Sequence, residues 1–200
     1  GNSHAKANAA VVLWRIVREN PSSQEMVAKA GPTSDLIALL KDGTAQAKEY
    51  ALWSLSLSIN ESNQKVILEE EGIDPLVAAL HSESLVTRQQ AAAALGALAL
   101  DNAKAQLMIA KAGSVVPLIL IVKQTQGEEP EAVAAREHAA AALAQLAFVS
   151  GNRDEIVSAG GIDPLVMLLQ DGETMSQKFA AAAIARLAKN HTENAATIAK

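Results

Sequence analysis

The segments "QQAAAALGALAL" (89–100), "EHAAAALAQLAF" (137–148) and "KFAAAAIARLAK" (178–189) each set four alanines in a row before a branched apolar residue. Self-similarity of this kind marks stacked repeats, in which neighbouring units bury a core that none could bury alone. Glycines at 31, 72, 113 and 161 follow the same rhythm, within "VAKAGPTSDLIALL", "ILEEEGIDPLVAAL", "MIAKAGSVVPLILIV" and "IVSAGGIDPLVMLL". Their spacings are 41, 41 and 48 residues, and the longest contains the polar stretch "QTQGEEPEA" (124–132). Proline among clustered glutamates favours a solvated loop there over a helix.

Each period reads as three helices. A short one, such as "SNQKVILEEE" (62–71), ends at the glycine, which can take the left-handed conformation common at helix C-termini. A second starts with "IDPL" or "VVPL", so that Pro75, Pro117 and Pro164 fall in its first turn, where a missing amide hydrogen costs nothing. The third is long and alanine-rich, over 45–59, 86–100, 132–149 and 174–189; Leu95 and Leu98, Leu143 and Leu146, and Ile184 and Leu187 keep the i, i+3 spacing of a buried stripe. No alternating pattern calls for strands, and the expected class is all-α. The alanines then have a physical role. A helix crowded by its own repeat and both neighbours needs small side chains, because added methylenes at such a site cost about 1–3 kcal/mol.

Composition narrows the function. Half of the residues are apolar, yet aromatics are limited to Trp14, Trp53, Tyr50, Phe148 and Phe179. A net charge of −5 disfavours a general nucleic-acid binder, which needs clustered cations to displace phosphate counterions. No run approaches the roughly eighteen apolar residues of a membrane span. The absence of cysteine removes disulfides and thiolate metal sites and is compatible with an intracellular, cytoplasmic or nuclear address. His81, His138 and His191 stand alone in separate repeats, without a partner at i+3 or i+4, and no nucleophile elbow or phosphate-cradling glycine loop is present. The chain is expected to be neither an enzyme nor the holder of a metal or cofactor.

The glycine followed by "IDPLVAAL" or "IDPLVMLL", and "YALWSLSLSINESNQKVI" (50–67), resemble the armadillo repeat family over nearly the whole chain. HEAT repeats are the nearest alternative, but they usually lack the glycine between the first two helices. The resemblance implies a right-handed superhelical α-solenoid with three helices per repeat. Full repeats fall at about 22–59, 62–100, 103–149 and 152–190, with partial ones at 5–20 and 192–200. Because terminal repeats normally carry polar caps, the partial ends suggest a segment of a longer protein.

The resemblance also implies a concave groove lined by the third helices. In peptide-binding members such as importin-alpha, each third helix offers a Trp and, four residues later, an Asn that bonds the peptide backbone. Aligned by the preceding leucine, the Trp position reads Trp14, Trp53, Gly96, Ala144 and Ala185, and the Asn position Arg18, Leu57, Leu100, Phe148 and Lys189. The asparagine ladder is missing, and of the acidic residues that would precede the Trp by four only Glu49 remains. What replaces the ladder is apolar at Leu57, Leu100 and Phe148 and cationic at Arg18 and Lys189, with Arg15 and Arg186 repeating the bias at the ends. Two readings stay open. The leucines line a groove that holds a partner segment with an apolar middle and acidic flanks, or they turn inward as core. Trp14 and Trp53 are likewise either interface anchors or packing residues.

The expected function is a protein–protein interaction scaffold that binds a protein or peptide segment in the groove. The alternatives are a structural module assembling through its convex face or repeat ends, homodimerisation included, or the substrate-binding tail of a larger protein such as a ubiquitin ligase.

Overall fold

A computed structural model of the chain describes residues 3–19, 30–124 and 127–189, together with 23, 26, 27 and 194. Helix starts are set by short polar side chains that accept from the first free amides. Thr44 accepts from the Ala47 amide, Asn60 from Asn63, Ser84 from Thr87 and Asn102 from Ala105. The resulting helices are α1 (Ser3–Glu19), α2 (Thr33–Asp42), α3 (Ala45–Ser58), α4 (Glu61–Glu69), α5 (Ile73–Ala79), α6 (Leu85–Ala99), α7 (Ala103–Lys111), α8 (Val115–Gln124), α9 (Pro130–Leu146), α10 (Ser150–Ser158), α11 (Ile162–Asp171) and α12 (Thr174–Ala188). No strand occurs among the described residues. Pro75, Pro117 and Pro164 do sit in the first turns of α5, α8 and α11.

The helices fall into triplets: α4–α6, α7–α9 and α10–α12, with α2 and α3 as the second and third members of an earlier one. Most of the stretch 20–29, where the first helix of that earlier repeat is expected, lies outside the described residues, as does most of the expected partial repeat at 192–200. The third helices pack side by side in the order α1, α3, α6, α9, α12. Ala91, Ala92 and Ala94, then Ala139, Ala140 and Ala142, are sealed in this stack, and one continuous core runs from Ala10 to Leu187. Where α6 passes α9, Gly96 faces the backbone of Ala142: a Cβ built on it would lie 3.5 Å from the Ala142 Cα.

Two of the four periodic glycines behave differently from the sequence expectation. Gly31 (φ 73°) and Gly113 (φ 86°) are left-handed, as expected, but Gly72 (φ −73°) and Gly161 (φ −76°) are right-handed. The left-handed residue there is the one before, Glu71 (φ 56°) and Gly160 (φ 76°). Gly72 and Gly161 are needed for space. A Cβ on Gly161 would lie 2.8 Å from both the Ile156 Cγ2 and its carbonyl oxygen, and one on Gly72 would lie 2.9 Å from the Ile67 Cγ2.

A set of buried amides that the sequence did not bring forward closes the ends of the third helices. Gln106 Nε2 donates to the Ala99 carbonyl at 2.8 Å, Asn152 Nδ2 to Leu146 at 3.1 Å, and Asn194 Nδ2 to Leu187 at 3.1 Å. Asn152 also reaches the Gln106 carbonyl at 3.0 Å, tying one repeat to the next. The final carbonyls of a helix have no intrahelical donor, so a side-chain amide from the following repeat satisfies groups that would otherwise be buried unpaired.

Glu71 holds a left-handed conformation that costs an L-residue about 1–2 kcal/mol, so Glu71→Gly should raise stability by about 1 kcal/mol in urea denaturation. Gly161→Ala should lower it by about 1–3 kcal/mol in the same assay.

His138 on α9 has its pKa lowered, chiefly by burial, with Glu137 opposing. The unfolded chain therefore takes up a proton that the folded one resists. His138 leaves stability intact above the ordinary histidine pKa of about 6.5 and diminishes it as the pH falls below that value. Urea midpoints measured at descending pH should fall less steeply for His138→Gln than for the wild type.

Candidate partner-binding groove

The third-helix stack has one side free of the first and second helices, and the residues on that side are fixed by burial. Ala51, Leu52, Ser54 and Leu55 of α3 are sealed in the same order as Ala91, Ala92, Ala94 and Leu95 of α6 and Ala139, Ala140, Ala142 and Leu143 of α9. "ALWSL" (51–55) is thus the counterpart of "AAAAL" (91–95), and the N-caps Thr44 and Ser84 agree with that pairing.

The alignment by the leucine before Trp53 is therefore corrected: Leu55, not Leu52, matches Leu95. Trp53 stands level with Ala93, Ala141 and Ala182, and Leu57 with Ala97, Gln145 and Arg186. Leucines three apart on a helix share a face, so the two alignments bury equally plausible stripes and only the remaining alanines separate them. Leu100 and Lys189 are the residues that end α6 and α12, and Phe148 lies just past α9, about one turn beyond the row that contains Leu57.

Between the two open readings of the leucines, the structure selects exposure. Leu57, Leu100 and Phe148 are 37%, 50% and 52% exposed, whereas Leu55, Leu98 and Leu146 two residues before them are sealed. Phe148 is covered on one face by the Arg186 guanidinium, whose carbon lies 4.0 Å from the ring centroid, a cation–π contact. Partial burial draws the Arg186 pKa down, but a guanidinium remains charged. Lys189 is exposed beside this pair in sequence, and Arg15 is exposed on α1; the side chain of Arg18 lies outside the described residues.

At the other end, Trp14 and Trp53 pack with their planes tilted by 59° and 4.6 Å between centroids, with Tyr50 5.5 Å from Trp14 and 6.4 Å from Trp53. The tryptophans pack and present a surface at once, since both are only half-buried. Tyr50 is the member of this cluster that sequence reasoning passed over; its position three residues before Trp53 on α3 was the available signal. Glu49 and Trp53 come together in a cavity of about 500 Å³ whose walls include Gln89 and Gln90 of α6 and Pro130 and Glu131 of α9. The Trp53 indole N–H is buried without a hydrogen-bond acceptor.

A larger cavity lies elsewhere, about 870 Å³ at the edge between α2–α3 and α5–α6. Ala79 stands there at the position that Leu39, Ile121 and Leu168 fill in the other repeats, and Glu49 borders both cavities.

The armadillo/beta-catenin-like repeat pattern matches residues 60–99 and 150–189. A search of curated proteins gives no match. Among solved structures, an engineered protein is 28% identical with a TM-score of 0.83, over 99% of this chain and 79% of that one. A designed armadillo repeat protein is 25% identical with a TM-score of 0.82, over 96% and 80%. Another designed armadillo repeat protein, in complex with the peptide (KR)4, is 25% identical with a TM-score of 0.79, over 96% and 79%. With its helix triplets, its stacked third helices and these matches, the chain has the armadillo repeat fold and carries the armadillo repeat pattern in its second and fourth repeats.

Proposed function

We propose that this chain is a non-catalytic scaffold that holds a segment of a partner protein along the open side of its third helices. The observation that carries this reading is the exposure of Leu57, Leu100 and Phe148 beside sealed leucines, since contiguous apolar surface usually marks an interaction site. A segment with an apolar middle lies over these three side chains. Its carboxylates meet Arg186 and Lys189 at one end and Arg15 at the other. The cavity beside Trp53, rimmed by Glu49 and Glu131, takes a side chain that donates hydrogen bonds. The designed armadillo protein that holds (KR)4 supports peptide capture as a use of this fold. The absence of an asparagine ladder here favours a segment gripped by side chains rather than by its backbone.

A second reading, assembly through a repeat end, has its own support. Val12 and Ile16 are exposed one turn apart on α1, while Ala10 is buried in the core cluster. Sedimentation equilibrium separates the two: a concentration-dependent dimer abolished by Val12→Glu favours assembly, and a monomer at all concentrations removes it.

For the groove, Leu100→Glu should leave stability within about 0.5 kcal/mol of wild type, because the site is exposed, whereas Leu98→Ala should cost about 2–5 kcal/mol. Affinity capture from a native lysate with wild type, Leu100→Glu, Trp53→Ala and Arg18→Glu should recover a partner with the wild type and lose it with all three variants. Capture that survives them all places the partner elsewhere.

A further inference from the structure

The repeats serve as an internal reference for one another, and on the outward side of the first two helices the third repeat departs from the rest. Ile67, Ile109 and Ile156 are the sealed residues that align the first helices, and Leu76, Leu118 and Leu165 those that align the second. In that frame Leu107 occupies the position of Lys65 and Asp154, and Val116 the position of Ser34, Asp74 and Asp163. Both positions are exposed in every one of these repeats, so the exchange of polar for apolar residues answers no demand of the core. Leu107 is 52% exposed, Val116 53%, and Leu120, one turn beyond Val116 on the same face of α8, 39%.

Charge changes in step. Residues 102–127 contain Lys104, Lys111 and Lys123 and no aspartate or glutamate, in a chain whose net charge is −5. Lys111 stands where the second repeat has Glu69. Each helix thus carries an apolar residue and a lysine on one outward face: Leu107 with Lys111 four residues on, and Val116 and Leu120 followed by Lys123. Beside Leu120 lies a cavity of about 350 Å³ lined by Leu80, His81, Arg88, Pro117 and Ile121, with no carboxylate in its wall. The Arg88 guanidinium is anchored there by donating to the Ser82 carbonyl at 2.8 Å.

We propose that the outward face of the third repeat is a second docking site, for an acidic amphipathic helix of a partner protein with apolar side chains one turn apart between carboxylates. Charge complementarity selects the sign of the partner, and the i, i+4 spacing of Val116 and Leu120 matches the repeat of a helical stripe. The cavity beside Leu120 selects a protein over a flat lipid surface, because it offers a seat for one inserted side chain. This site is independent of the groove on the third helices.

The test uses a synthetic helical peptide with a leucine stripe flanked by glutamates, its counterpart with lysine for glutamate, and vesicles of phosphatidylserine and phosphatidylcholine. Val116→Asp combined with Leu120→Ala installs the residues that the second repeat itself carries, Asp74 and Ala78, so the melting temperature should not fall. Fluorescence anisotropy should show the acidic peptide bound, about tenfold or more weaker binding of the basic one, and a loss of about tenfold or more in the double variant, with affinity falling as salt rises. Every arm carries Leu57→Glu, which sets a carboxylate in the groove against an acidic segment, so that the outward face alone is read. The proposal is overturned if neither peptide binds, if both bind equally, or if the double variant binds unchanged. It is also overturned if the protein without the double substitution, but not the protein with it, sediments with the vesicles while ignoring the peptide.

Discussion

The close passage of one third helix over the next is the contact on which the rest of the molecule depends. Helices pack at 8–10 Å between axes, and the lower part of that range needs small side chains on both partners. Ala91, Ala92 and Ala94 of α6 and Ala139, Ala140 and Ala142 of α9 are all sealed in the stack, and Gly96 faces the Ala142 backbone at a distance where a Cβ would make ordinary contact. Alanine buries little area per residue, so the stack is not held chiefly by these contacts. Their part is spacing. They bring each repeat close enough for Leu95, Leu98, Leu143 and Leu146 to be sealed against the first and second helices, where larger areas are removed from water at roughly 25 cal/mol per Å².

Close packing creates a second requirement at the helix ends. A third helix pressed between neighbours has carbonyls at its C-terminus that water reaches poorly, and each one left unpaired would cost about 1–3 kcal/mol. Gln106 and Asn152 meet that need from the following first helix, and Asn194 from beyond α12. The amide belongs to one repeat and the carbonyl to the previous one, so the bond fixes the stagger between units as well as satisfying a polar group. In this chain buried amides order the scaffold, and the open side is left to side chains of other kinds.

The period of the alanine runs, the prolines at the starts of second helices and the insertion at 124–132 made the helix triplets legible in the sequence, because each has a direct local cause. The groove was less legible. Leucines recur at three-residue spacing in third helices, and a shift of one turn keeps an apolar stripe apolar; only the burial of Ala51 and Ser54 alongside Ala91 and Ala94 showed which turn of α3 matches α6. The glycine assignments failed at Gly72 and Gly161 for a related reason. Glycine is selected by backbone freedom or by want of space, and the sequence does not say which; Ile156 against Gly161 does. The pairing of Arg186 with Phe148 joins residues from different repeats and has no local signature at all.

A stack of near-equivalent units also lets surface and core vary separately. The positions that define the repeat, such as Ile67, Ile109 and Ile156, are sealed and hold their character, because a change there would disturb two interfaces at once. Outward positions carry no such constraint, and three consecutive repeats place Lys65, Leu107 and Asp154 at one exposed site without altering the helix beneath. Variation of that kind on a constant frame is how one unit comes to differ from its neighbours in what it can bind. The inner side obeys the same rule within a narrower range: Trp53, Ala93, Ala141 and Ala182 face the open side at one level, so the large aromatic surface is confined to the first of these helices and the floor beyond it is smooth. Under the proposed reading the two cationic ends of the groove differ in their aromatic area, with Trp14, Tyr50 and Trp53 at the end that carries Arg15 and Phe148 under Arg186 at the other, a difference that would give a bound segment one preferred direction.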